Sequence, residues 1–293
     1  QLRKRGGDAA KLDEASTLMF ASKFTEAEAL LAKVSREVGK QVIDGGYHLT
    51  TELLYREEKG ISAAENQRCR LDVYAPATKK AFSTVIWFHG GGLTQGERSI
   101  PLALRNQGLA VVAANYRLAP GVKSPVYIED AAAAIAWTLK HIGDFGGDPK
   151  RIFVSGHSAG AYLSLMCGLD KRWLAKHDVD ADDLAGLIPL SPQVITHFTI
   201  RDERGIEETQ PIIDDLAPLF HVRKDAPPIL LVTGDREKEL MGRYEECAYF
   251  WRMMKLAGHK ATTLHELDGF DHGKMPEPAF PLLNRWVEEH SKH

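Results

Sequence analysis

The stretch that decides the fold is Ile-Phe-Val-Ser-Gly-His-Ser-Ala-Gly-Ala-Tyr-Leu, residues 152–163. Its apolar start is typical of a strand and its end is typical of a helix, so the Gly-His-Ser-Ala-Gly run at 156–160 lies on a sharp strand-to-helix turn. A serine there has a strained backbone, and glycines must flank it because side chains would collide with the neighbouring strand and helix. This context favours Ser158 as a nucleophile over the alternative, a glycine-rich turn with a serine N-cap.

Apolar runs recur on both sides of this turn, at residues 85–88, 109–114, 152–154, 187–190 and 229–232. Continuous runs of this kind predict strands that are covered on both faces, which is typical of a parallel sheet. Helix-like stretches at 130–142, 159–169 and 244–256 alternate with them. The expected fold class is therefore α/β, a doubly wound, mostly parallel sheet flanked by helices.

Two segments stand outside this alternation. Residues 1–40 predict an N-terminal helical extension, in which Thr25 and Glu28 have capping-box spacing. Residues 41–293 are then the main domain. Within it, residues 193–227 are polar and rich in Asp, Glu and Pro, and they interrupt the rhythm between two strands, which predicts a cap or lid insertion.

Composition excludes several classes of function. The 293 residues carry a net charge of −3, which provides no basic surface for nucleic acid. Membrane spans are not expected either, because no apolar run reaches roughly 20 residues. Three cysteines lack metal or redox spacing, and no HExxH-type cluster occurs, so we expect no catalytic metal.

The chain starts at Gln1 without an initiator methionine. This start is consistent with a removed signal peptide or with a chain cut at that point, so cytoplasmic and exported locations both stay open. The sequence also leaves the oligomeric state unknown.

A second signal is His-Gly-Gly-Gly at residues 89–92, directly after an apolar run. Successive glycines leave backbone N–H groups bare, so that they can converge on the oxygen of a tetrahedral intermediate. We predict an oxyanion hole formed by Gly90 and Gly91 with the N–H of Ala159. The alternative is an ordinary flexible loop.

Among twelve histidines, His272 is the candidate base, because it follows the last predicted strand, 262–267, and completes the chain order serine, acid, histidine. His157 precedes the candidate nucleophile, but we expect its side chain to point elsewhere. The acid should lie after the strand 229–232, where Asp235, Glu237 and Glu239 are three carboxylates.

With these residues placed, the chain resembles the hormone-sensitive-lipase-like branch of the α/β-hydrolases, especially its bacterial esterases. The likeness runs from about residue 65 to the C-terminus and includes Leu-Asp-Val-Tyr at 71–74, the glycine run at 89–92, Tyr-Arg-Leu-Ala-Pro at 116–120 and the serine turn. The resemblance implies hydrolysis of short- to medium-chain carboxylic esters through an acyl-enzyme intermediate, a small-molecule ester as substrate, and no cofactor.

The chain departs from this family pattern at two points. Asn115 stands where an aspartate is common, and the usual Asp-Pro-Leu that contains the acid is absent. In related enzymes the acid usually stands three residues after a glycine of this loop, which favours Glu237, whereas residue type favours Asp235. We prefer Glu237 and keep Asp235 as the alternative.

Two other functions remain consistent with the sequence. One is an amidase of the arylformamidase type, because the same groups cleave activated amides. The other belongs to a different class, a non-catalytic ligand-binding protein on the same fold. Ser158, His272 and a nearby acid are all present, which disfavours the second alternative.

Overall fold

The structure is a computed structural model that describes residues 41–43, 45–56, 60–240 and 242–291. The predicted N-terminal helical extension, residues 1–40, lies outside the described residues.

One mixed sheet runs through the described part of the chain. Its nine strands are β1 (Gln41–Ile43), β2 (Tyr47–Leu54), β3 (Arg70–Pro76), β4 (Phe82–Phe88), β5 (Ala110–Ala114), β6 (Gly147–His157), β7 (Gly186–Leu190), β8 (Ile229–Gly234) and β9 (Thr262–Leu267). They lie in the order β1-β2-β3-β5-β4-β6-β7-β8-β9. Pairs from β1 to β3 and the β3–β5 pair are antiparallel, and all other neighbours are parallel.

The apolar runs of the sequence form the centre of this sheet. Every residue of β4, β5, β7 and β8 is buried. Strands that lose both faces to other elements need apolar side chains on both, which is why these runs are continuous rather than alternating. The prediction of a doubly wound α/β sheet is confirmed.

Seven described α-helices flank the sheet: α1 (Ala63–Arg68), α2 (Val126–His141), α3 (Ala159–Leu169), α4 (Arg172–Ala175), α5 (Phe198–Glu203), α6 (Arg243–Leu256) and α7 (Pro276–His290). The predicted helices at 130–142, 159–169 and 244–256 correspond to α2, α3 and α6. Helices α2 and α3 share one core with one face of the sheet, and α7 shares a second core with the opposite face. The architecture therefore has three layers.

The segment 193–227, for which the sequence predicts a cap or lid insertion, connects β7 to β8. It contains α5 and a short 3-10 helix at Pro218–His221. The Thr199 hydroxyl donates to the main-chain oxygen of Gly92. The insertion therefore lies against the glycine-rich segment that follows β4.

Within the ranges that the structure describes, no helix combines the length and the apolar character that crossing a bilayer requires.

Parallel register brings the candidate functional segments to one edge of the sheet. Phe88 is paired with Gly156, His157 with Leu190, and Gly234 with Leu267. These are the last residues, or nearly the last, of their strands. The segments that follow β4, β6, β7, β8 and β9 consequently meet at the carboxyl edge, where open α/β sheets bind ligands.

Helix α3 begins in very close contact with the end of β4. A Cβ atom on Gly160 would lie 2.1 Å from the main-chain oxygen of Phe88, and one on Gly156 would lie 2.6 Å from the same atom. Real Cβ atoms do not approach backbone so closely, and backbone cannot rotate away as a side chain can. Glycine at both positions is therefore a steric requirement of this crossing.

We predict that Gly160→Ala lowers the free energy of unfolding by about 1–3 kcal/mol, as overpacking of a rigid core does. Alanine normally stabilises a helix relative to glycine by about 1 kcal/mol, so the expected sign is opposite to that of helix propensity. Urea unfolding followed by circular dichroism measures the change.

Gly143→Ala is the matched control, because no atom lies within 4 Å of the added Cβ there. Its stability should stay within about 0.5 kcal/mol of the parent chain, as for most surface substitutions. Equal stability of the two variants would contradict the steric explanation.

Candidate active site

Ser158 occupies the turn between β6 and α3 in a strained conformation. Its φ of 55° and ψ of −115° lie outside the regions that residues with a Cβ favour. Two backbone hydrogen bonds hold it there, from its N–H to the oxygen of Leu190 at 2.9 Å and from the N–H of Tyr162 to its own oxygen at 3.0 Å. Strain that the surroundings maintain in this way is typical of functional positions.

The glycine run at 89–92 lies beside this serine. A Cβ atom on Gly90 would lie 3.5 Å from the Cβ of Ser158. The carbonyl of Gly91 accepts hydrogen bonds from the N–H groups of Thr94 and Gln95, at 3.1 and 3.0 Å. Gly91 has a φ of 105°, which glycine adopts without strain.

Three N–H groups, in the glycine run and at the first residue of α3, lack an acceptor among the described residues. In the part of the chain that the structure describes, the N–H groups of Gly90, Gly91 and Ala159 have no hydrogen-bond acceptor. Ala159 is the first residue of a helix, where N–H groups carry partial positive charge. The three predicted oxyanion donors are thus unpaired around one serine.

The buried ring of His89 contacts the glycine run. Its ring stacks on Tyr116 with centroids 4.4 Å apart, and its Nδ1 lies 2.7 Å from the main-chain oxygen of Gly90. Burial lowers the pKa of His89 to about 4, so the ring is neutral and Nδ1 donates. The Gly90 carbonyl is therefore paired with a buried side chain.

His272 lies in the segment between β9 and α7, and a carboxylate contacts its ring. Its Nδ1 is 2.8 Å from Oε2 of Glu239 and 2.9 Å from Oγ of Ser191. A neutral imidazole next to a carboxylate donates from Nδ1, which leaves Nε2 as the basic nitrogen. Glu239 and Ser191 thus set the tautomer of His272.

Glu239 is ionised at this site. Burial acts to raise the pKa of its carboxyl, but hydrogen bonds from His272 and from the N–H of Gly234 outweigh it and lower the pKa to about 2. Its Oε1 accepts the Gly234 bond at 2.9 Å, and its side chain is fully buried. The carboxylate is therefore held at two points and faces His272 with its other oxygen.

This arrangement corrects our prediction for the acid. Glu237 is exposed, and neither it nor Asp235 contacts His272. The Asp235 carboxylate accepts the N–H groups of Glu237 and Gly269, at 2.9 and 2.7 Å. Asp235 therefore ties two loops together, and the side chain next to the histidine is that of Glu239.

A helical turn explains why the spacing pointed to the wrong carboxylate. The N–H of Glu239 donates to the oxygen of Asp235 at 2.8 Å, which is the i to i−4 bond of one α-turn. This turn reverses the chain and returns Glu239 to Gly234. Aspartate is a preferred N-cap residue, so Asp235 indicates that a helical turn follows, but which side chain of that turn faces His272 depends on the tertiary structure.

Sequence reasoning also missed Ser191 and misplaced His157. Ser191 directly follows β7. This position at the end of a strand is the only local feature of the sequence that could have indicated Ser191 as a site residue. We expected His157 to point elsewhere, but its Nε2 lies 2.9 Å from the main-chain oxygen of His272 and the two rings are 4.6 Å apart. His157 consequently connects Ser158 to the histidine loop.

The structure thus brings Ser158, His272, the glycine run and Glu239 to one edge of the sheet. Among the described residues, no hydrogen bond joins the Ser158 hydroxyl to His272. Such bonds are often long without substrate and shorten in the substrate complex.

A cavity of about 410 Å³ lies between Thr94, two residues after the glycine run, and the segment that contains α5, and its lining does not include Ser158 or His272. Thr94, Phe198 and Thr199 border it, and Asp202, Glu207 and Glu208 are among its other lining residues. Its volume lies within the range of small-molecule sites. Over the described ranges, no group of three or more His, Cys, Asp or Glu side chains is arranged to hold a metal ion.

Sequence comparison finds similarity to proteins that are named ester hydrolases. The BD-FAE family model matches residues 71–184. Esterase LipC of Mycobacterium tuberculosis is 28% identical over 205 residues, which cover 64% of this chain and 50% of LipC. Carboxylesterase NlhH of the same species is 36% identical over 98 residues, 32% of this chain and 31% of NlhH. The matches thus span half or less of these relatives.

Solved structures share the fold. A truncated carbohydrate esterase from gut microbiota superposes with a TM-score of 0.71 at 19% identity, covering 87% of this chain and all of the other. The apo form of Thermogutta terrifontis esterase 2 gives a TM-score of 0.66 at 23% identity, with 86% and 94% covered. At these identities the likeness shows the fold alone.

Fold, strained serine turn and relatives agree on one assignment. The chain has an α/β-hydrolase fold, and its sequence is similar to the BD-FAE family and to mycobacterial esterases.

Proposed function

We propose that the chain is a serine carboxylesterase that hydrolyses short- to medium-chain carboxylic esters through an acyl-enzyme intermediate. Ser158 is the nucleophile, His272 the general base and Glu239 the acid that orients it. The observation that carries this proposal is the Glu239–His272 bond of 2.8 Å, at the sheet edge where Ser158 is held in its strained turn.

Acylation follows from these positions. The Ser158 oxygen attacks the ester carbonyl carbon while its proton passes to Nε2 of His272, and the carbonyl oxygen becomes an oxyanion. The free N–H groups of Gly90, Gly91 and Ala159 stabilise that charge. The tetrahedral intermediate then collapses, the C–O bond to the alcohol breaks, and His272 returns the proton to the leaving alcohol.

Deacylation repeats the steps with water. His272 removes a proton from the water, the hydroxyl attacks the acyl carbon, and the carboxylic acid leaves as Ser158 regains its proton. Glu239 stays ionised throughout and stabilises the imidazolium that forms in both steps. Its low pKa suits this role, because a protonated carboxyl would offer His272 no charge.

The volume of the cavity near α5 supports a small substrate. Insertion residues of α5, Phe198 and Thr199, border this cavity of about 410 Å³. The relatives are named esterases and carboxylesterases, which supports an ester as the substrate. Turnover of nitrophenyl esters with acyl chains from acetyl to octanoyl measures which acyl lengths the site accepts.

Two further assays test the alternative functions. Faster cleavage of an aryl formamide than of a short ester would favour an arylformamidase. No turnover and no labelling by a fluorophosphonate would favour a non-catalytic ligand-binding protein. A solved relative, Thermogutta terrifontis esterase 2, is itself phosphonylated by cyclosarin, so this probe suits the fold.

We predict that Ser158→Ala lowers kcat for a short nitrophenyl ester by roughly 10⁴-fold or more, since the nucleophile is lost. Thermal unfolding should be unchanged within a few degrees, because only one hydroxyl is removed. Steady-state kinetics and a thermal melt provide the two measurements.

Ser164→Ala is the matched control, because Ser164 lies in α3, the helix that follows Ser158. Its hydroxyl donates to the oxygen of Ala161 at 2.8 Å and lies within the buried helix, so its loss should not change kcat. Retention of most activity by Ser158→Ala would refute the proposed nucleophile.

We predict that Glu239→Gln lowers kcat by about 10⁴-fold, the usual effect of replacing the triad acid by its amide. Glu237→Gln, two residues away and exposed, should retain parental kcat. Nitrophenyl ester kinetics on both variants at pH 7–8 test the assignment. The reverse order of effects would restore Glu237 as the acid.

A further inference from the structure

His157 lies between the nucleophile and the two segments that serve it. It precedes Ser158 in the chain, and its Nε2 is 2.9 Å from the main-chain oxygen of His272. On its other side, a Cβ atom on Gly90 would lie 3.3 Å from its Nδ1. One ring therefore touches the histidine loop and the glycine run.

The His157 ring is a neutral donor. Burial, and then the charge of His272, lower the pKa of His157 to about 4, while the Glu239 carboxylate acts in the opposite direction and Arg243 in the same one. A neutral imidazole next to a carbonyl oxygen must donate, so the proton is on Nε2. The contact is a hydrogen bond from His157 to the backbone of His272.

Glu239 and Ser191 hold the side chain of His272, and other bonds hold the loop that contains it. Residues 268–270 and 273 are exposed. The N–H of Gly269 donates to Asp235, and the oxygen of Phe270 accepts from the N–H of Asp235, at 2.7 and 2.8 Å. Both bonds fix the loop to the segment after β8. The His157 bond instead fixes residue 272 to the residue before Ser158.

We propose that His157 is a positioning residue, whose Nε2–H bond to the His272 carbonyl holds the base at its working distance from Ser158. The inference rests on the proposed function, because it assigns a role within that mechanism. Displacing a reacting group by about 1 Å can cost 10²-fold in rate, so a bond that sets this distance has a measurable effect.

The predicted effect is on kcat rather than on substrate binding. The bond from His157 is to the main chain of the base, so we expect its loss to change kcat more than KM. A displaced base slows the proton transfers of acylation and deacylation. A side chain that merely packs would not produce this separation together with rescue by a donor of the right reach.

Three variants test the role. His157→Met removes the donor at similar size, His157→Gln places an amide N–H near the position of Nε2, and His157→Asn has the same amide on a shorter side chain. We expect Met and Asn to lower kcat by roughly 10–100-fold with KM within about twofold, and Gln to recover most of the loss. Thermal midpoints of the three identify any variant that fails to fold.

The comparison of Gln with Asn decides the matter even if His157→Met misfolds. Equal kcat for Gln and Asn, or parental kcat for Met, would overturn the positioning role. A shift of the acid limb of the pH–kcat profile in His157→Gln would also overturn it, because His157 would then take part in proton transfer.

Failure of the esterase proposal gives a different result. In that case the parent chain hydrolyses no ester, or Ser158→Ala hydrolyses it equally well, whatever stands at 157. A parent chain that turns over and needs Ser158, with His157 variants that are indifferent to donor reach, contradicts the positioning role alone.

Discussion

The contact between the start of α3 and the end of β4 is the constraint on which the rest of the site depends. Gly156 and Gly160 allow backbone to meet backbone, with the position of a Gly160 Cβ only 2.1 Å from the oxygen of Phe88. That approach sets the strained turn at Ser158 and aims the helix N-terminus at the sheet edge. The glycine run at 89–92 follows the end of β4, so its N–H groups lie at the same edge of the sheet as Ser158.

Around this turn the protein keeps one negative charge and two neutral rings. Glu239 has a pKa of about 2, whereas His89 and His157 have values of about 4. Burial favours the uncharged form of both rings. In the proposed mechanism a proton moves to His272, and no second cation lies on these rings to oppose it. Burial thus keeps these two rings uncharged beside the imidazolium, and the fixed cation nearby is Arg243, which donates to the main-chain oxygen of Ser191 at 2.7 Å.

Much of the fold and part of the site follow from sequence alone. Strands and helices were predictable because continuous apolar runs report burial on both faces, and the runs at 85–88, 187–190 and 229–232 all became strands. Gly90 and Gly160 were identifiable because each lies in a short motif, the glycine run and the serine turn. The predicted acid was wrong, because Asp235, Glu237 and Glu239 lie within five residues and all suit a polar loop.

The sequence by itself determined the α/β alternation, the serine turn and the glycine run, since each depends on neighbours along the chain. Only the tertiary structure decided which side chains surround His272. Glu239 is 33 residues away from it in the chain and Ser191 is 81 away. Their meeting depends on parallel register at one sheet edge and on a single α-turn after β8. Contacts over such separations are decided by how strands pair and loops dock, which no local spacing encodes.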